Sequence, residues 1–187
     1  MGKRQSGTTL IHQAQPTDLP QVIAAARQTW EGTYAHILSP HVIQSVLQQE
    51  YSLENLERQI HSPMHALYVA VKDNEVVGYA GYRRTQEGEV ANLTHLYIRP
   101  KFQHQGIGGQ LLAAGAAALE ETGVSEVRTL VAKANAPAVC FYEQHGFSAK
   151  RAYMTFVEDQ MLEVIEMNVP LSRIAREQGP NEDQATG

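Results

Sequence analysis

The chain predicts a mixed α/β domain, and three observations carry that prediction. Segments with helical spacing alternate with short β-branched or aromatic runs along most of the 187 residues. One strand-like run, Leu93 to Ile98, passes through a glycine-rich turn directly into an alanine-rich helix. The composition, 43% hydrophobic and 19% charged, suits a globular chain with one sizeable core, and no internal repeat or second domain is visible.

The elements follow in order. Thr9 to Gln13 reads as a first strand. Thr17-Asp18-Leu19-Pro20 starts a helix, with Thr17 as its cap, that runs to about Gly32. Pro40 begins a second helix to about Glu50, and Ser52 a third to Ile60, with Leu53, Leu56 and Ile60 spaced for one face. His65 to Lys72 and Glu75 to Tyr82 are β-rich, and Asp73-Asn74 between them reads as a hairpin turn. Val90 to Ile98 is a strand, Gln110 to Glu121 a helix, and Glu126 to Lys133 a strand. Asn135 or Ala136 caps a short helix, with Pro137 in its first turn and Gly146 closing it. Ala149 to Phe156 and Met161 to Val169 are the last strands. Beyond them the chain is polar and contains Gly179-Pro180-Asn181-Glu182-Asp183, which predicts a domain over 8–171 and a mobile tail over 172–187.

The turn Gln103-His104-Gln105-Gly106-Ile107-Gly108-Gly109 carries the chemistry. A turn of this composition at a helix start leaves backbone N–H groups unpaired where the helix dipole is positive, so it makes an anion site, most simply for a phosphate or pyrophosphate. Gly106 and Gly108 remove side chains that would hold a ligand off the backbone. The Walker pattern fails because Gly108 is followed by Gly109 and Gln110. The dinucleotide fingerprint fails because its third glycine would fall on Leu111.

The pattern that fits, Gln-x-x-Gly-x-Gly after a strand, resembles the acyl-CoA loop of the GNAT superfamily of N-acetyltransferases. A second stretch, Asn135-Ala136-Pro137-Ala138-Val139-Cys140-Phe141-Tyr142-Glu143-Gln144-His145-Gly146-Phe147, is similar to the other signature of that superfamily, and it lies in the expected order. The resemblance implies a single GNAT domain with a mixed, mostly antiparallel seven-stranded sheet, flanked by four or five helices. It also implies a splay between the strands ending near Ile98 and starting near Glu126.

The implied reaction is transfer of an acetyl group from acetyl-CoA to a primary amine by direct attack in a ternary complex, without a metal. The resemblance places acetyl-CoA against the backbone of Gln103, His104, Gln105, Gly106, Ile107, Gly108 and Gly109. Leu96, Tyr97 and Ile98 would meet the pantetheine. A backbone N–H near Leu96 would stabilise the oxyanion, an effect of order 3 kcal/mol where such a donor has been removed elsewhere. Tyr142 stands at the position of the family's general acid, which protonates the leaving CoA thiolate. Asn135 would contact pantetheine or support the splayed strands. Read as residues alone, Tyr142 is an ordinary core tyrosine, Asn135 a cap and Cys140 buried packing without a partner histidine.

The base is missing from this inventory. An amine of pKa about 10.4 costs roughly 4.6 kcal/mol to neutralise at pH 7. Relatives place Glu or His where Asn92 and Thr94 stand here, and neither can accept a proton at neutral pH. Strand alternation puts Asn92, Thr94, Leu96 and Ile98 on one face and Leu93, His95 and Tyr97 on the other, so pleating turns His95 away. A bulge would upset that parity.

On the acceptor side, Trp30, Tyr34 and Pro40 resemble a Trp-x-x-x-Tyr…Pro pattern of a bacterial polyamine and small-amine branch. With Asn92 and Thr94 they are the candidate acceptor residues; simple packing of a helix end is the alternative for Trp30 and Tyr34. Three functions stay in view: acetylation of a small amine such as a polyamine, acetylation of a peptide or protein amine, and a CoA-binding regulatory module without turnover. An α-amine, with pKa about 7.7–8.0, asks less of a base.

Charge and cysteine content bound the rest. A net charge of −5 argues against non-specific nucleic-acid binding and is compatible with a cationic acceptor. A single cysteine forms no internal disulfide, and no apolar run reaches membrane-span length. No signal peptide is read at the N-terminus, so a cytoplasmic enzyme, possible as a homodimer, is expected. His61 and His65 are separated by Pro63, which breaks a shared helical face, so no metal site is expected there.

Overall fold

A computed structural model describes residues 8–176. Seven strands form one sheet in the order β1-β2-β3-β4-β5-β7-β6. They are β1 (Leu10–Gln13), β2 (His65–Lys72), β3 (Glu75–Arg84), β4 (Val90–Ile98), β5 (Glu126–Ala132), β6 (Ser148–Val157) and β7 (Gln160–Pro170). Every neighbouring pair is antiparallel except β4–β5. The mixed, mostly antiparallel seven-stranded sheet implied by the resemblance is the observed one.

Six α-helices flank it among the described residues: α1 (Leu19–Tyr34), α2 (Pro40–Glu50), α3 (Leu53–Ile60), α4 (Ile107–Glu120), α5 (Ala136–Gln144) and α6 (Leu171–Arg176). In α1 the buried residues Leu19, Val22, Ala26 and Thr29 recur every three or four positions, so one stripe faces the sheet. Thr17 is not its cap: Pro16–Asp18 forms a 3₁₀ turn, in which Asp18 reaches back to the N–H of Gln15, and α1 follows directly. In α3 the Ser52 hydroxyl accepts from the N–H of Asn55 at 3.2 Å, Leu56 is buried, and Leu53 stays largely in solvent. The sixth helix begins at Leu171, where polar composition had suggested the domain end. Leu171 and Ile174 are buried in the main core, so the domain continues to at least Ile174. The mobile-tail expectation for 177–187 lies outside the described residues.

Two cores hold the layers together. On one sheet face, Ile107, Leu111, Leu112, Ala116 and Leu119 of α4 pack on Val77, Ala80, Leu93, Val127 and Met167. On the other, Leu19, Val22 and Ala26 of α1, with Leu56 of α3, pack on Leu67, Val69 and Tyr79.

β4 departs from the alternation expected of it. Tyr82 pairs with Leu93 but Gly81 with His95, so Thr94 is an extra residue in a bulge. Parity reverses there. Leu93, Leu96 and Ile98 all face the α4 core, while His95 and Tyr97 face the aromatic side chains around Tyr51 and Trp30. The expected grouping of Thr94 with Leu96 and Ile98, opposite Leu93, is therefore incorrect.

Candidate active site

β4 and β5 pair only from Val90 to Asn92, against Glu126 to Arg128. The Thr129 hydroxyl still donates to the carbonyl of Leu93 at 3.1 Å, and beyond that point the strands part. β5 continues along β7 as far as Ala132 while β4 stays with β3, so Leu96 to Ile98 have no β5 partner. A cleft of about 820 Å³ opens in the gap. This is a place where extended polar chains can pair with backbone in place of a strand.

The glycine-rich loop closes one end of the cleft. His104 and Gly106 both hold left-handed conformations, with φ of 59° and 76°, and Gly106 caps α4. The Gln110 N–H bonds the carbonyl of Gly106 at 3.2 Å, so the preceding N–H groups of Ile107, Gly108 and Gly109 lie in the helix's unpaired first turn. A Cβ at Gly108 would lie 2.9 Å from the Phe141 ring. Glycine at 108 thus lets α5 close on α4, besides admitting a ligand. The loop is braced from outside: buried Arg99 pairs with Glu75, and Gln105 bonds Lys72 at 3.1 Å and the carbonyl of Lys101 at 3.3 Å. Gln105 is a strut and does not line the cleft.

Tyr142 projects from α5 into the apex of the splay. Asn135 sets that helix by accepting from the N–H of Ala138 at 3.3 Å. Tyr142 is 8% exposed and its hydroxyl lies near Thr129, the residue that marks the parting of the strands. Burial pushes its pKa up, the neighbouring Thr129 hydroxyl pulls it down, and nearby Tyr34 pushes it up again. The outcome is a phenol that keeps its proton at any ordinary working pH. Tyr34 and Tyr97 share a 3.2 Å hydroxyl contact, and burial raises both. Tyr34 also lies near the side chain of Asn135, so one α1 hydroxyl stands between β4 and the start of α5.

The structure brings together most of the residues expected at the site. Leu96, Tyr97, Ile98, Gln103, His104, Gly106, Ile107, Gly108, Gly109, Asn135 and Tyr142 line the cleft, and so do Tyr34 and Thr94. Trp30 and Asn92 do not line it. Trp30 stacks on Tyr34 at 4.5 Å and donates to the Tyr51 hydroxyl at 3.1 Å, so it braces Tyr34 from behind. His95 packs against Tyr51 at 5.2 Å, and burial together with the charge of His65 pulls its pKa down to about 4. It is neutral and does not itself line the cleft, but its Nδ1 meets the hydroxyl of Thr94, which does, at 3.0 Å. Cys140, expected to be buried, is exposed on α5. Among the described residues no three His, Cys, Asp or Glu side chains converge as a metal site.

Some of the lining residues were singled out by no motif. Thr33 in the last turn of α1, and His36 and Ile37 of the α1–α2 connection, line the acceptor end of the cleft, and Leu130 of β5 also lines the cleft. Among the described residues the cleft lining contains no Asp, Glu, Lys or Arg. Its histidines other than His36 belong to the opposite end: His104 lies in the loop, and His145 bonds the carbonyl of Phe141 at 2.8 Å. The connection is held from the far end of the chain. The Gln160 side chain accepts from the Ser39 N–H at 2.9 Å and donates to the Ile37 carbonyl at 2.9 Å, and His41 meets Asp159 at 3.0 Å. No local sequence signal joins partners about 120 residues apart.

Comparison with known proteins places this geometry. Residues 26–147 match the model of the acetyltransferase (GNAT) family. The spermidine N(1)-acetyltransferase of Thermoplasma acidophilum is 31% identical over 137 residues, covering 71% of this chain and 84% of that protein. The crystal structure of PaiA N-acetyltransferase from T. acidophilum, in complex with coenzyme A, superposes with a TM-score of 0.74 at 26% identity, covering 85% of this chain and 98% of that one. The ribosomal-protein-S18-alanine N-acetyltransferase of Escherichia coli shares the fold, with a TM-score of 0.65 at 21% identity over 88% of this chain and 94% of that one.

Proposed function

This chain belongs to the GNAT family and is an acetyl-CoA-dependent N-acetyltransferase, and we propose that its acceptor is a small primary amine of the polyamine class. The likeness to a spermidine acetyltransferase supports that acceptor. The observation that carries the mechanism is the position of Tyr142: a buried, protonated phenol beside Thr129, whose hydroxyl bonds the Leu93 carbonyl where the two strands part. A thioester lying along β4 would bring its sulfur to this apex.

In the proposed reaction the N–H groups of Ile107, Gly108 and Gly109 hold the pyrophosphate, and the unpaired backbone of Leu96 to Ile98 holds the pantetheine. A backbone N–H of Leu96 or Tyr97 receives the oxyanion as the amine attacks, in a setting that is already organised before charge develops. Collapse of the intermediate expels the thiolate, which takes the Tyr142 proton. The amine proton leaves at the other end of the cleft. His95 touches the cleft only through its bond to the Thr94 hydroxyl and is held neutral by burial, and Asn92 and Thr94 cannot accept the proton, which leaves His36, through water, as the acceptor-end group proposed to do so.

One observation favours a second reading. A cleft lined by no carboxylate among the described residues gives the distal ammonium groups of a polyamine no counter-charge there. A peptide α-amine, which is more readily neutral, answers that objection. Free-thiol release from acetyl-CoA against a panel of polyamines, amino acids, aminoglycosides and short peptides, from about pH 6 to about pH 10, separates the two. Turnover confined to peptides overturns the polyamine proposal. Silence throughout, with CoA binding intact, leaves a protein acceptor or a CoA-binding regulatory module.

A further inference from the structure

His145 lines the cleft, yet no step of the reaction above uses it. It caps the C-terminal end of α5, and its ring lies over the Phe141 ring with centroids 4.2 Å apart. Phe141 and His145 stand four residues apart on one side of α5, and α4 receives them on consecutive glycines. A Cβ at Gly108 would lie 2.9 Å from the Phe141 ring, and one at Gly109 would lie 3.0 Å from His145 Nε2. The imidazole is thus set against the first turn of α4, where unpaired N–H groups make the anion site.

The tautomer follows from the other ring nitrogen. His145 Nδ1 meets the Phe141 carbonyl at 2.8 Å, and a carbonyl only accepts, so Nδ1 carries the hydrogen. In the neutral ring Nε2 is then a bare lone pair at the rim of an anion site. A lone pair there opposes a phosphate oxygen, and a second proton turns it into a charged donor. The titratable and charged groups around the ring are His104 of the loop, Arg173 of α6, which lies against Gly146, and Cys140 and Glu143, both exposed on α5. Among the described residues no acid forms an ion pair with His145.

We propose that His145 is a phosphate ligand of CoA, which takes up a proton at Nε2 as the cofactor binds and donates that hydrogen to a pyrophosphate oxygen. The proton comes from solvent, Nδ1–H stays on the Phe141 carbonyl, and no bond within CoA changes. Binding and release of the cofactor are thereby coupled to pH. Affinity is greatest where the imidazole is charged, and it falls as pH rises through the range, about 5 to 8, in which histidine changes charge. This inference rests on the pyrophosphate lying at the start of α4 and does not depend on the acceptor amine.

Calorimetry with dephospho-CoA on the full chain tests it. That probe keeps the pyrophosphate and lacks the 3′-phosphate, a monoester whose own second proton titrates near about pH 6 and would enter the count. In buffers of different ionisation enthalpy at about pH 7, the protein should take up part of a proton per molecule bound. His145→Gln should abolish that uptake and weaken binding about tenfold at about pH 6, with little change at about pH 8.5. His145→Lys, charged at both values, should bind about equally at both. Uptake that persists in His145→Gln overturns the proposal, and so does uptake that disappears in His104→Gln instead. An affinity loss equal at both pH values also overturns it, because a ring that only packs α5 on α4 would behave that way. CoA binding without proton uptake sinks this inference alone, whereas no binding of CoA or dephospho-CoA sinks the cofactor site with it. Thermal melts show that each variant folds.

Discussion

The two ends of the cleft are built from different materials. The CoA end consists of backbone: unpaired N–H groups at the start of α4, the released edge of β4, and glycines that let α5 approach. The acceptor end consists of side chains from α1, the α1–α2 connection and β5, held by a hairpin turn far along the chain. A backbone site demands particular conformations, and these confine sequence to a short motif. A side-chain site can be rebuilt with other residues at the same places, so it follows no pattern of its own.

That contrast can be broken most sharply at Gly108. Gly108→Glu puts a carboxylate into the anion site and a side chain into the Phe141 ring, and CoA binding by calorimetry should be lost. Retained affinity would remove the backbone account of this end. Next in size, Tyr142→Phe should lower kcat by about 10²-fold or more while leaving CoA affinity near that of the parent protein. A smaller effect belongs to the acceptor end. Gln160→Ala frees the connection at Ser39 and Ile37, and the KM for the amine should rise several-fold, about 1 kcal/mol, with CoA affinity unmoved.

Two pH experiments sharpen the comparison further. Burial raises the Tyr142 pKa, so its proton is present below and throughout the working range, and activity should climb to about pH 10 with no alkaline fall due to that residue. If His36 takes the amine proton, His36→Gln should lower kcat and steepen that climb; an unchanged profile removes it from the mechanism. A last effect, on stability and not on turnover, concerns His95. Its pKa falls from 6.5 to about 4 in the fold, so below about pH 6.5 the unfolded chain binds a proton that the native chain refuses. Melting temperature should fall as pH drops from 6.5 toward 4, and a His95→Gln variant should lose less over that window.

Legibility in the sequence followed the same division. The strand, turn and helix around Gly106 and the signature from Asn135 to Phe147 could be read because each rests on local backbone needs. Parity along β4 could not, since the bulge at Thr94 is fixed by its pairing with Gly81 and Tyr82 in another strand. Trp30 and Tyr34 belong to one helix, yet only Tyr34 reaches the cleft, and their spacing does not separate wall from brace. Cys140 sits in an apolar run but on the outward side of a short helix, a distinction that nine residues with weak periodicity cannot carry. His36 was silent because a histidine in a connection looks like any exposed histidine until the opposite wall is in place.

The three-residue junction of β4 with β5 also bears on how the molecule breathes. Backbone contact between β1–β4 on one side and β5–β7 on the other narrows to a short weld, with helices bridging the remainder. A bound CoA molecule fills the open part of that seam and touches both halves. It would then act as a suture, and slowed amide exchange along Leu96 to Ile98 and along β5 would report it together with a rise in global stability set by ligand concentration over Kd. In the unliganded chain, these amides should be among the earliest in the sheet to exchange.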